Sequence, residues 1–221
     1  GRWWDEGLTM PFYEIDGVVP VCDPTSYVHP SADVIGDVII GAGCYIGPSA
    51  SLRGDFGRIR IEAGSNVQDS CTVHVYPGAD CILGEGSHVG HGAILHGCVL
   101  EPRVLVGMNS VVMDGARIGE DSLVGAGSVV SAGFVAPPRS LVLGSPAKVL
   151  RELDEAQLAW KSNGPDVYRQ LAERSLATMR EVAPLEAEEA DRPRVSTDAS
   201  VSRPLHELRR SEEHTSELQS H

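Results

Sequence analysis

Large aromatic side chains are scarce in this chain, since Phe, Trp and Tyr make up 5% of its 221 residues. Glycine, by contrast, occurs 24 times, and small aliphatic residues are abundant. This composition favours a fold of regular, closely stacked backbone over a sandwich packed around large rings. The length is sufficient for one domain with a sizeable core, with or without an appendage.

Basic residues are also few: 18 Lys and Arg stand against 31 Asp and Glu, for a formal net charge of −13. A nucleic-acid partner is disfavoured because phosphates demand a basic face. No apolar run approaches the roughly 20 residues of a membrane helix. Residues 1–9 lack the apolar core of a signal peptide. We therefore expect neither a nucleic-acid partner nor a membrane partner.

The five cysteines form no C-x-x-C pair and no compact framework. This pattern predicts reduced, mostly buried thiols in a cytoplasmic protein.

Both ends of the chain look foreign to the fold. Residues 1–9 resemble a translated upstream segment before a plausible start at Met10. Residues 210–221 back-translate into a common sequencing adapter, and both stretches are set aside. The acidic, weakly periodic stretch 184–209 is predicted to be a flexible tail.

Aliphatic residues recur every six positions through much of the chain. The longest uninterrupted runs of this repeat are Val28, Val34, Ile40, Ile46, Leu52 and Leu100, Val106, Val112, Ile118, Val124, Val130. An antiparallel sheet protein would instead alternate with a period of two. The repeat predicts an all-β hexapeptide solenoid over residues 10–140, a left-handed parallel β-helix. Three hexads make one triangular coil, with the marked side chains pointing inward.

Residues 141–183 are predicted to form a helical appendage. One helix is expected to be capped by Asp154 and to end at Asn163-Gly164. A second helix is expected to open at Pro165 and to pack against the prism or a neighbouring subunit.

Counting hexads as successive faces places His74 and His96 on one face, pointing outward from adjacent coils about 4.8 Å apart. Arg53 falls in the same column, one coil below. His91 falls near a different edge, so a neighbouring subunit about a threefold axis would supply it. Three neutral imidazoles around an open position form a catalytic zinc arrangement, which predicts a homotrimer with shared metal sites.

Two alternatives stay open for the histidines. They could be polar surface or interface residues without a ligand. His88 ends its hexad and pairs with nothing in the column, so it is interpreted as a corner residue, with a supporting role at the metal site as the alternative.

Several motifs resemble one known family. The stretches "LRGDFGRIRIEAGSNVQDSCTVHV" and "GHGAILHGC" are similar to γ-class carbonic anhydrases, which are trimeric left-handed β-helices with metal between subunits. The motifs "VGMNSVVMDG", "GSPAKVLREL" and "LAWK" resemble the phenylacetic acid degradation (PaaY) branch of that hexapeptide-repeat family. The resemblance covers Met10 to about Pro184.

The resemblance implies roles for individual residues. It assigns Zn²⁺, or Fe²⁺ or Co²⁺, to three ligands: His74, His91 and His96. Arg53 and Asp55 would form an ion pair at the subunit contact, and Asn66 and Gln68 would be catalytic residues beside the metal-bound water. Asp69 belongs to the same group of polar residues beside the metal-bound water and would lie in the second coordination shell of the metal. Corner hydrogen bonding is the alternative role for Asn66 and Gln68.

One departure bears on the substrate. The stretch "VYPGADCILGEG" is short where well-known family members carry a long acidic loop, and Phe56 stands in place of another family carboxylate. Because rapid CO₂ hydration must export a proton each turnover, fast anhydrase activity is not expected.

Three functions remain in competition. The leading prediction is a zinc-dependent thioesterase acting on acyl-CoA in phenylacetate degradation, with accompanying CO₂ hydration. The second is an acyl-CoA-dependent hexapeptide acyltransferase, which shares the solenoid, uses one histidine as a base and binds no catalytic metal. The third is a non-catalytic assembly subunit, which a broken ligand set would favour.

Overall fold

The computed structural model describes residues 11–195, which form a parallel β-helix of about seven coils followed by one α-helix. The predicted parallel β-helix is thus confirmed. Its strands form three faces, and β4 (Asp33–Ile40) and β6 (Ser51–Ile61) each run around one corner and belong to two of them.

The first face, called the histidine face, carries the first parts of β4 and β6. Its other strands are β1 (Phe12–Tyr13), β8 (Thr72–His74), β11 (Ile94–His96), β14 (Val111–Val112) and β17 (Val129–Val130). The second face carries the remainder of β4 and β6. Its other strands are β2 (Val21–Cys22), β9 (Cys81–Leu83), β12 (Val99–Leu100), β15 (Arg117–Ile118) and β18 (Val135–Ala136).

The third face, called the helix face, is a separate eight-stranded sheet. Its strands are β3 (Tyr27–Val28), β5 (Tyr45–Ile46), β7 (Asn66–Val67), β10 (His88–Val89), β13 (Leu105–Val106), β16 (Leu123–Val124), β19 (Ser140–Gly144) and β20 (Ala147–Glu152).

The strand register confirms the assignment of hexads to faces. Val67 pairs with Val89 on the helix face, and Val73 pairs with Leu95 on the histidine face. These four side chains are fully buried inside the prism. Since a parallel ladder stacks equivalent positions of successive coils, residues that follow the buried positions form outward columns.

The solenoid extends beyond the predicted boundary at residue 140. β19 pairs in parallel with β16, and β20 then folds back antiparallel on β19. The pair Pro137-Pro138 suggested that the solenoid ends there. Ala136 instead fills the inward position before the two prolines, and the chain turns one more corner after them.

One continuous helix, α1 (Glu155–Thr178), follows the solenoid, so the prediction of two helices is wrong. The predicted cap is confirmed. The Asp154 side chain accepts a hydrogen bond from the backbone N–H of Gln157, and Oε1 of Gln157 accepts one from the backbone N–H of Asp154. Gly164 and Pro165 lie inside the helix, although proline removes a backbone donor there.

Packing on the helix face outweighs these helix-breaking residues. The buried side chains of Tyr27, Tyr45 and Ala172 contact partly buried Tyr168, Leu171 and Leu176. Tyr45 and Tyr168 are 5.3 Å apart between ring centroids. Burial of this apolar surface holds the second half of α1 in line with the first.

All five cysteines are free, and four of them are buried, as predicted for reduced thiols. Among residues 11–195, no helix is both long and apolar enough to cross a membrane. No helix or strand follows α1 up to residue 195. The predicted upstream segment at 1–9, the adapter-like stretch 210–221 and the rest of the tail lie outside the described residues.

Candidate metal centre

The two histidines predicted to share a column are in contact. His74 and His96 pair in register on β8 and β11, and Nδ1 of His74 lies 3.1 Å from Nε2 of His96. Both follow buried aliphatic residues and therefore point outward. The histidine face thus brings two of the three predicted ligands together by strand register alone.

Carboxylates hold the opposite nitrogens of this pair. Asp55 Oδ1 lies 2.9 Å from Nε2 of His74, and Asp114 Oδ1 bonds Nδ1 of His96. The nitrogens without a carboxylate are the two that face each other. Carboxylates commonly orient metal-binding imidazoles in this way, because they fix the tautomer and raise the basicity of the free nitrogen.

His91 has the same arrangement on another part of the surface. It follows β10 at a corner of the helix face, and its Nδ1 lies 3.1 Å from Asp69 Oδ2. Its side chain is about half exposed, at 47%. Asp69 therefore holds Nδ1 of His91, which leaves Nε2 as the nitrogen for a ligand. The place of Asp69 in the second coordination shell of a metal ion stays a prediction.

The described part of one chain does not assemble a complete metal centre. Within residues 11–195, no group of three or more His, Cys, Asp or Glu side chains is arranged to hold a metal ion. The donor chemistry nevertheless fits one, since each of the predicted ligands keeps one nitrogen on a carboxylate. The second nitrogens of His74 and His96 contact each other and no carboxylate. The shared site between subunits stays a prediction.

Arg53 and Asp55 form an ion pair within the chain, while its predicted place at a subunit contact stays a prediction. Arg53 Nη1 lies 2.7 Å from Asp55 Oδ2, while the other oxygen of Asp55 contacts His74. Asp55 thus links a guanidinium to an imidazole. Phe56 is 57% exposed, and its ring centroid lies 5.2 Å from that of His74, so an aromatic ring borders His74 at the position where the resemblance implies a carboxylate.

Asn66 and Gln68, predicted to be catalytic, are buried on the helix face beneath α1. The Gln68 amide donates to Asn66 Oδ1 at 3.0 Å, and both amides contact His88. Burial lowers the pKa of His88 to about 4, and the positive charges of His91 and Lys161 contribute further. His88 is therefore neutral at physiological pH.

Sequence reasoning missed two of these residues as partners. Asp114 follows His96 by 18 residues, which is the length of one coil, and lies one coil above it. Counting one coil along the chain from His96 could therefore have identified Asp114 as its partner. His88 was interpreted as a corner residue, whereas it joins Asn66 and Gln68. Its signal was the register of β10 on β7, in which His88 pairs with Asn66.

Comparison with known proteins places the chain in a family. A profile described as "Bacterial transferase hexapeptide (six repeats)" matches residues 97–132. The carnitine operon protein CaiE of Escherichia coli is 51% identical over 193 residues, which cover 87% of this chain and 98% of CaiE. The chain belongs to the hexapeptide-repeat family of CaiE. CaiE of Salmonella agona is 53% identical, and the match covers 87% of this chain and 97% of that protein.

Solved structures of the hexapeptide-repeat family agree with this assignment. A Bacillus cereus protein whose proposed activity is acetyl transfer has a TM-score of 0.74 and 34% identity, and 75% of this chain and 96% of that chain are covered. A hexapeptide transferase family protein of Anaplasma phagocytophilum has a TM-score of 0.71 and 35% identity, with 73% and 95% covered. The relatives support the hexapeptide-repeat family and not the narrower PaaY branch.

Proposed function

We propose that this protein is a metal-dependent hydrolase or lyase whose metal ion, Zn²⁺ in the first instance, lies between subunits of a trimer. His74 and His96 of one subunit and the partner subunit's His91 would hold it. The observation that carries the proposal is the shared pattern of the three imidazoles, each with one nitrogen held by a carboxylate. A general base needs only one such histidine, whereas a metal centre uses three.

The residues of this chain would orient and support the ion. Asp55 and Asp114 hold the tautomers of His74 and His96, and Arg53 holds Asp55 in place. When bound, such an ion supplies a nucleophile at neutral pH by lowering the pKa of water.

The substrate class we propose is an acyl-CoA thioester, with slower CO₂ hydration at the same site. Phe56 contributes no carboxylate beside His74, so proton export would limit CO₂ hydration more than thioester cleavage. The relatives named for a carnitine operon offer no support for phenylacetate degradation. The proposal therefore keeps the acyl-CoA class and leaves the aromatic pathway aside.

Acyl transfer is the second candidate function. The description of the family profile and that of the B. cereus structure favour it. In that mechanism one histidine held by a carboxylate, such as His74 with Asp55, would act as a general base without metal. Metal dependence separates the two candidates.

The test is made on the purified full-length protein. Native mass spectrometry and metal quantification are expected to give a trimer with about one metal ion per chain. Release of CoA from acetyl-CoA and CO₂ hydration are then assayed before and after chelation. Both activities should disappear with the metal and return on Zn²⁺ addition.

Alanine variants complete the test. Substituting any one of the three candidate ligands should remove bound metal and leave the far-ultraviolet circular dichroism of the β-helix unchanged, because all three point outward. His29→Ala is the matched control: His29 is a partly exposed histidine that hydrogen-bonds Ser31, and this variant should keep the metal content of the wild type. A metal-free protein that transfers acetyl groups would overturn the proposal in favour of acyl transfer.

A further inference from the structure

Two exposed aromatic rings border the histidine pair. Among residues 11–195, only three Phe, Tyr or Trp side chains are exposed: Tyr13 at 46%, Phe56 at 57% and Tyr76 at 45%. Exposed apolar side chains that cluster mark interaction or ligand sites, whereas single ones are ordinary surface. Phe56 and Tyr76 form such a cluster beside the candidate metal centre.

The topology brings Phe56 and Tyr76 to one corner of the prism. Phe56 lies in the middle of β6, where that strand turns from the histidine face to the second face. The strands before and after Tyr76 are β8 and β9, and both pair with β6, the first on the histidine face and the second on the second face. Tyr76 therefore lies at the same corner as Phe56, one coil above it.

The Phe56 ring lies against the first histidine of the pair. Its centroid is 5.2 Å from that of His74, with an angle of 52° between the two planes. The preceding residue, Asp55, holds Nε2 of the same imidazole. Two adjacent residues of β6 thus contact His74, one through a carboxylate and one through an aromatic ring.

The Tyr76 ring lies beside the second histidine of the pair. A methyl group at Gly97, the residue after His96, would lie 3.0 Å from Cε1 of Tyr76 and 3.0 Å from Oδ1 of Asp114. The edge of the ring therefore packs on the backbone next to His96, close to the carboxylate that holds that imidazole. The absence of a side chain at Gly97 makes this approach possible.

The carboxylates near the rings are already engaged. Asp55 contacts both Arg53 and His74, and Asp114 bonds His96. The faces of the two rings present apolar surface without a formal charge. A bound divalent ion would add positive charge beside them, which disfavours a cationic group. An uncharged apolar group therefore fits this corner better than a charged one.

We propose that Phe56 and Tyr76 form one wall of the acyl-binding part of the site and give the protein a preference for uncharged acyl groups larger than acetyl. This inference rests on the proposed function, in which an acyl-CoA thioester reacts beside the histidine pair. Ligand sites combine apolar and aromatic lining of this kind with a few polar groups that fix the orientation of the ligand.

The preference is measured as the ratio of kcat/KM for butyryl-CoA to that for acetyl-CoA. Each buried methylene favours binding about fourfold, so the two additional methylenes of butyryl-CoA should raise kcat/KM about tenfold in the wild type. Phe56→Ala and Tyr76→Ala should each lower this ratio to about threefold, and the double variant should bring it close to one. Tyr76→Phe should keep the wild-type ratio, because the hydroxyl group takes no part in the contact.

Tyr13→Ala is the matched control. Tyr13 is as exposed as Tyr76 and lies on the same face as the histidine pair, three strands away from His74 along the column that contains Arg53. Since neighbouring strands are about 4.8 Å apart, its backbone lies roughly 14 Å from that of His74. This variant should therefore keep the wild-type ratio.

Native mass is compared before the assay. If either alanine variant loses the trimer, the partner subunit covers that ring and the inference is overturned. A wild-type ratio at or below one, or variants that leave the ratio unchanged, would also refute it.

A binding measurement separates this inference from the proposed function. If the wild type cleaves neither thioester, the proposed function fails, and titration calorimetry with S-ethyl-CoA and S-butyl-CoA then tests the wall, because these thioethers cannot be hydrolysed. The wild type should bind the butyl analogue about tenfold more tightly, and the double variant should bind both alike. Equal affinities in the wild type would overturn the inference.

Discussion

Gly164 offers a quantitative test of how closely α1 packs on the solenoid. In a helix interior, alanine is more stabilising than glycine by about 0.5–1 kcal/mol. Gly164→Ala would therefore stabilise an unobstructed helix by that amount. Here the new methyl group would lie 2.9 Å from Nδ1 and 3.1 Å from Cε1 of His88. His88 cannot move aside easily, because Asn66 and Gln68 hold both ring nitrogens.

Overpacking of this kind costs about 1–3 kcal/mol. Taking about 2 kcal/mol for the clash and about 1 kcal/mol for the helix gain, Gly164→Ala should destabilise the protein by about 1 kcal/mol. In a His88→Ala background the obstructing ring is absent, so the same substitution should stabilise by up to about 1 kcal/mol. The two substitutions should therefore be coupled by about 2 kcal/mol.

The assay is guanidinium unfolding of the four proteins in this cycle, at one fixed protein concentration because assembly contributes to stability. The decisive result is the change of sign between the two backgrounds. If Gly164→Ala stabilises the protein while His88 is present, α1 does not approach the ring as closely as the structure shows, and the reasoning is refuted.

Three further predictions concern the site and its surroundings. Arg53→Ala should reduce trimer formation and metal content, measured by native mass spectrometry, because Asp55 loses its 2.7 Å partner; a full, metal-loaded trimer without turnover would instead assign Arg53 to catalysis. Phe56→Glu should raise CO₂ hydration at low buffer concentration by about tenfold or more, since an exposed carboxylate can carry the proton to solvent, whereas Asp55 is held by Arg53 and His74; an unchanged rate would show that proton export is not limiting. Stability should fall as pH drops from about 6.5 to about 4, because unfolded chains protonate His88 near 6.5 while the folded chain resists to about 4. His88→Gln should flatten that part of the profile, and a slope that persists would belong to another group.

Local sequence spacing determined the fold of this protein. A buried aliphatic residue at every sixth position repeats only if each hexad adds one short strand and one corner, so the β-helix and its coil register follow from the sequence. The same count placed His74 and His96 in one column, because the residue after an inward position must point outward. The Asp154 cap depends only on residues close in the sequence, so it could also be predicted without the structure.

The course of α1 was decided by tertiary structure. Gly164 and Pro165 carry a local signal for a break, and packing of Tyr168 and Ala172 against the helix face overrides it. The role of His88 was hidden for the same reason. A period of six says which way a side chain points, but only the docked helix shows that an outward histidine is buried beneath it.

The sequence by itself therefore determined the coil, the inward core and the column of candidate ligands, because each depends on chain-local periodicity. Tertiary structure decided which nitrogen of each candidate ligand a carboxylate holds, since the carboxylates of Asp55, Asp69 and Asp114 come from other coils. It also decided that Asn66 and Gln68 lie covered beneath α1. A hydrogen-bond network between coils depends on distances of a few tenths of an ångström, and periodicity alone does not specify them.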